Sequence, residues 1–87
     1  MKKATAWEQG AMLTLKNVID GGYHCELDGN EDAARELETS AYRQSCDIFG
    51  DDWWYQHDMK CLESNATAIE CWELLLEKIE QSLSEVQ

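Results

Sequence analysis

Proline is absent from this 87-residue chain, and seven Lys/Arg stand against eighteen Asp/Glu, leaving a formal net charge of −11. The missing proline excludes polyproline linkers and proline-rich recognition segments. The shortage of basic residues argues against direct binding to nucleic acid, which draws on Lys and Arg to neutralise phosphates and release counterions. Long hydrophobic runs are missing too. The longest aliphatic run is Leu74-Leu75-Leu76, far short of the roughly 20 residues that a membrane-spanning helix needs. No apolar stretch follows Lys2-Lys3 as a secretory signal requires, so a cytoplasmic protein with four reduced cysteines is expected. Asn65-Ala66-Thr67 fits the N-glycosylation pattern, but outside the secretory route it reads as a turn or cap.

Chemical signatures are equally sparse. There is no phosphate-cradling loop, no dinucleotide fingerprint after Gly21-Gly22 and no nucleophile turn. Cysteines paired as Cys-x₂₋₄-Cys, the usual mark of a structural zinc site, do not occur. At this length a substrate domain beside a cofactor domain is excluded. No enzyme and no cofactor is expected.

What the chain does have is apolar residues, 44% of the total with four tryptophans, too many for a disordered polypeptide. The expected fold is all-α: one acidic helical domain over residues 1–87, an antiparallel bundle of three or four helices. The first helix opens on the capping-box pair Thr5 and Glu8. Trp7, Ala11, Leu15 and Val18 then form a stripe ending at Gly21, with Trp7 and Trp72 both assigned to the core. Tyr23, Cys25 and Leu27 alternate with polar residues, which suggests a short extended connector over 23–27. A second helix runs from Asn30 to Gly50 and buries Ala34, Leu37, Ala41 and Ile48, flanked by Tyr42, Cys46 and Phe49.

The clearest periodicity is Ile69, Trp72, Leu76, Ile79, Leu83 and Val86, at spacings of 3, 4, 3, 4 and 3. This seam is either the spine of the bundle or, with Ile69, Trp72, Leu76, Ile79 and Leu83 facing a second copy, a homodimer interface. Tyr55, Met59, Leu62 and Ala66 continue its phase upstream, whereas Ser64-Asn65 suits a break, so residues 51–87 form one helix or two.

Glu70, Glu73, Glu77 and Glu80 lie off that seam at spacings of 3, 4 and 3. Such carboxylates stand about 5 Å apart along the axis, close to the phosphate spacing of a nucleic-acid strand. Asp51-Asp52-Trp53-Trp54-Tyr55 places three large aromatics at one helix start. Neighbouring helical positions diverge by about 100°, so one aromatic, assigned to Trp53, should face outward among the acids. His57 and Cys61, four residues apart on one helical face, are weak candidates for metal ligation, with His24-Cys25 as further donors.

The leading functional expectation is a non-enzymatic protein-binding module. Asp51, Asp52, Trp53, Glu70, Glu73, Glu77 and Glu80 would engage a basic, nucleic-acid-binding protein and compete with its nucleic acid. In size and charge, though in no motif, this is similar to the small acidic inhibitors that phages use against host restriction or CRISPR systems. A second reading is a helical adaptor or homodimeric assembly subunit working through the last helix. A third is a small Cys/His metal or thiol protein.

Overall fold

The computed structural model describes residues 6–85, which form four helices: α1 (Ala6–Leu27), α2 (Glu31–Phe49), α3 (Asp51–Ser64) and α4 (Ala68–Glu85). Thr5 and Val86, singled out above for a capping box and a seam, lie outside the described residues. Each helix packs against its sequence neighbours, and α4 closes back on α1. All four contacts run antiparallel. Trp72 meets Glu26 and Glu80 meets Lys16 across α1 and α4, while Trp53 reaches Ser82 and Gln56 reaches Lys78 across α3 and α4. No helix among the described residues is long and apolar enough to cross a membrane.

The core collects Met12, Leu15 and Ile19 from α1, Ala34 and Ala41 from α2, Trp53 and Trp54 from α3, and Trp72, Leu75, Ile79 and Leu83 from α4. Burying each large side chain contributes roughly 1.5–3 kcal/mol before chain entropy is counted. On α2 the inward line is alanine and serine: Ser45 is fully buried and its hydroxyl donates to the Tyr42 carbonyl at 2.7 Å. Small residues there leave room for the indoles of α3. Leu37 and Ile48 are only half-buried and Tyr42 is exposed.

Three expectations are corrected by this packing. The connector over 23–27 is helix, because α1 passes straight through Gly21-Gly22. Gly22 is buried under Trp72, and a Cβ there would stand 2.3 Å from the indole Cη2, so this glycine serves close helix approach instead of chain termination. The left-handed residue that ends α1 is Gly29, at φ 79°. The Gly29 N–H donates to the Glu26 carbonyl and the Asn30 N–H to the Cys25 carbonyl, the paired bonds of a Schellman motif. Second, Trp7 is 66% exposed, since it sits in the first turn of α1 at the edge of an open groove that Ala11, Thr14, Gln44, Asp47 and Ile48 also line. Third, the seam on α4 is rotated: Trp72, Leu75, Ile79 and Leu83 turn inward, Leu76 is half-buried and Ile69 is 37% exposed. With Trp72, Ile79 and Leu83 buried in the chain's own core, the set Ile69, Trp72, Leu76, Ile79 and Leu83 is not a free homodimer seam.

Residues 51–85 are two helices. Asn65 adopts the left-handed conformation (φ 53°, ψ 45°) that asparagine tolerates better than most residues. The Asn65 N–H donates to Leu62 and the Ala66 N–H to Cys61, a second Schellman motif. Between α2 and α3 the whole turn is Gly50, at φ 86° and ψ 175°, a conformation essentially confined to glycine. At the start of α2 the Asn30 side chain accepts from the Ala33 N–H at 3.3 Å.

Candidate functional site

On α3, Trp53 and Trp54 are each 8% exposed and Tyr55 is 62% exposed, so the outward aromatic is Tyr55, not Trp53. The reason is that α4 lies on the Trp53 side. The Trp53 ring stacks on Phe49 at 4.8 Å and 12°, and its Nε1–H donates to the Ser82 hydroxyl at 3.3 Å. Lys78 Nζ stands 5.2 Å from the ring centroid, so the chain supplies its own cation to that face.

Tyr55 begins a stripe on the solvent side. Met59 at i+4 and Leu62 at i+7 follow, at 37% and 75% exposure. Stepping about 100° per residue around the helix, Asp51 and Asp58 run along one edge of this stripe and Asp52 and Glu63 along the other. All four carboxylates are exposed. Asp51 and Asp52 also sit in the first turn of α3, where negative charge meets the positive end of the helix dipole.

The four α4 glutamates share one exposed stripe but perform different jobs. Glu70 closes a capping box: its carboxylate accepts from the Thr67 N–H at 3.1 Å, and the Glu70 N–H donates to the Thr67 hydroxyl at 3.2 Å. Those bonds hold the Glu70 carboxyl below its usual pKa. Glu80 lies 3.8 Å from Lys16 Nζ. Glu73 and Glu77 make no ion pair among the described residues and border a shallow groove with Leu74. The Trp53–Ser82 bond sets the first turn of α3, with Asp51 and Asp52, against the last turns of α4.

His57 and Cys61 do meet, with Cys61 Sγ 3.6 Å from Nε2 and 3.7 Å from Nδ1. His57 is 5% exposed, and burial, with Lys78 and Lys60 nearby, lowers its pKa to about 4. Burial, assisted by a hydrogen bond with Cys71, pushes the Cys61 thiol up to about 12. Both side chains are therefore neutral at pH 7, the reverse of what an activated thiolate–imidazolium pair requires. Among the described residues, no three or more His, Cys, Asp or Glu side chains are grouped so as to hold a metal ion. His24 stands on the exposed face of α1, 3.6 Å from Asp20.

Sequence reasoning missed the outward stripe because it assigned Tyr55, Met59 and Leu62 to the α4 seam. It also missed the Thr67–Glu70 box, although Thr-x-x-Glu before an apolar run is a readable sign. No protein family, curated protein or solved structure matches the chain.

Proposed function

We propose that this protein is a non-enzymatic binding module that docks its acidic surface on a basic, nucleic-acid-binding protein and competes there with nucleic acid. The observation that carries this reading is the outer face of α3. It presents Tyr55, Met59 and Leu62 at i, i+4 and i+7 between two rows of exposed carboxylates. That is the form of an amphipathic helix that enters a partner's groove, with an aromatic anchor for buried area and charges matched to a basic rim. Glu73 and Glu77 extend the negative surface along α4, whereas Trp53 is buried and the exposed Glu70 and Glu80 are held by contacts within the chain. A chain charge of −11 favours fast encounter with a positively charged surface. A phage anti-defence inhibitor, by likeness of size and charge, is one protein of this kind.

The test uses three baits: wild type, Tyr55→Ser/Leu62→Ser, and Asp52→Lys/Asp58→Lys/Glu63→Lys. Wild type should retain a basic nucleic-acid-binding protein that is released by moderate salt or by added nucleic acid. Both variants should lose it while keeping their helical circular dichroism. A partner held equally by all three baits, or held regardless of salt, would overturn the proposal.

A further inference from the structure

Three carboxylates from three helices converge on one cavity of about 180 Å³: Glu26 from α1, Glu38 from α2 and Asp58 from α3. Its floor is apolar and aromatic, formed by Trp54, Trp72 and Leu75, at 8%, 3% and 2% exposure. Glu38 and Asp58 are exposed and stand at the mouth. Glu26 is fixed in orientation, because its Oε1 accepts from the Trp72 indole N–H at 3.3 Å. None of the three makes an ion pair among the described residues.

We propose that this cavity is a receptor for a guanidinium group, with Glu38, Asp58 and Glu26 taking its N–H donors and Trp54 and Trp72 its weakly hydrated plane. A metal ion is the wrong guest, since the acids are not grouped closely enough to coordinate one. An ammonium is a poorer guest than a guanidinium. It is a compact, strongly hydrated point charge, whereas the guanidinium spreads five N–H donors over a flat fork that can span separated carboxylates against an aromatic wall.

The electrostatics of the lining agree. Although Glu38 is exposed as a residue, partial desolvation of its carboxyl beside the cavity, then the fields of Asp58 and Glu26, raise it above its ordinary pKa, with Arg35 opposing. Partial desolvation raises the Asp58 carboxyl as well. These acids therefore lack a strong positive neighbour. His57, which also lines the floor, is neutral at pH 7 and does not repel a cation. Lys60 and Lys78, which help to depress it, do not line this cavity but border another depression, with Glu77 and His57.

This inference rests on the reading of a basic partner, to which it adds an arginine, but its test needs no partner, so the two can fail separately. The intact protein is titrated with N-acetyl-arginine amide at constant ionic strength, followed by tryptophan fluorescence and backbone amide shifts. Saturable binding with a Kd of about 1–10 mM is expected, as suits a single side chain. Binding should weaken at least tenfold in Glu38→Gln/Asp58→Asn and stay unchanged in Glu36→Gln/Asp47→Asn, which removes equal charge elsewhere. N-acetyl-lysine amide should bind at least tenfold more weakly than the arginine compound.

A Gly-Gly-Arg-Gly-Gly peptide that binds as well as the amide assigns the site to a protein arginine. Free arginine binding tenfold tighter than either assigns it to a small guanidino compound. Identical, unsaturable responses to arginine amide, lysine amide and sodium chloride would overturn the proposal, as would full binding by a folded Glu38→Gln/Asp58→Asn protein.

Discussion

The Trp72 indole packs so closely on Gly22 that a Cβ placed on this glycine would fall between 2.3 and 2.7 Å from three ring atoms. This contact joins α1 to α4 and also anchors Glu26, whose carboxylate takes the indole N–H. The same tryptophan thus seals the core and forms one wall of the acidic cavity.

Gly22→Ala should therefore destabilise the protein by about 1–3 kcal/mol, the usual cost of overpacking a closed site, because a rigid ring must move. Gly10→Ala is the contrasting change. Nothing lies within 4 Å of its added methyl, and the loss of glycine's freedom within α1 should stabilise by about 0.5–1 kcal/mol. Urea denaturation of both variants reads the two signs, and equal effects would mean that helix propensity alone decides at both positions.

Thr67→Ala should cost about 1 kcal/mol, since it removes the hydroxyl that accepts from the Glu70 N–H at the start of α4. Glu70→Ala should act in the same direction by freeing the Thr67 N–H. Thermal unfolding checks both. On α4, charge reversals that extend the binding test therefore belong at Glu73 and Glu77 and not at Glu70, whose loss would also remove a cap.

His57 makes stability pH-dependent. In the unfolded chain it takes a proton as pH falls through 6.5, but in the folded protein only near 4, so acidification over that window favours unfolding. The full effect is roughly 3 kcal/mol from this group. The raised Glu38 and Asp58 act in the opposite sense, because the folded state holds their protons more firmly, and they offset part of the loss. A His57→Gln protein should lose markedly less stability than wild type between pH 7 and pH 4, as chemical denaturation at each pH would show. Parallel curves would remove the assignment to His57.

Cys61 should resist alkylation. With its pKa near 12, thiolate is scarce at pH 8, and iodoacetamide should modify it only when the protein is unfolded in urea. Peptide mapping after timed quenching measures this. Equal rates in native buffer and in urea would show that burial does not protect the thiol.

Much of the fold was legible in the order of residues, for local reasons. The all-α class, the extent of α2 from its Asn30 cap to Gly50, and the inward placement of Trp72, Ile79 and Leu83 follow from capping chemistry and helical period. The break at Ser64-Asn65 was visible as one of two options, and left-handed Asn65 decides it.

Tertiary packing decided the rest. Gly21-Gly22 carries the same local signal whether it ends a helix or lies beneath an indole, and only the arrival of Trp72 from α4 distinguishes the two. Trp53, Trp54 and Tyr55 are equivalent to a local rule, because which one turns outward depends on where α2 and α4 lie around α3. The cavity was the least legible feature. Glu26, Glu38 and Asp58 belong to three helices with no common spacing, so nothing short of the assembled bundle brings their charges together. The sequence by itself determined that this protein is helical, acidic and able to bury a core, since those properties arise from composition and local geometry. Which face is left outward, and which acids share one site, is decided by contacts between residues far apart in the chain.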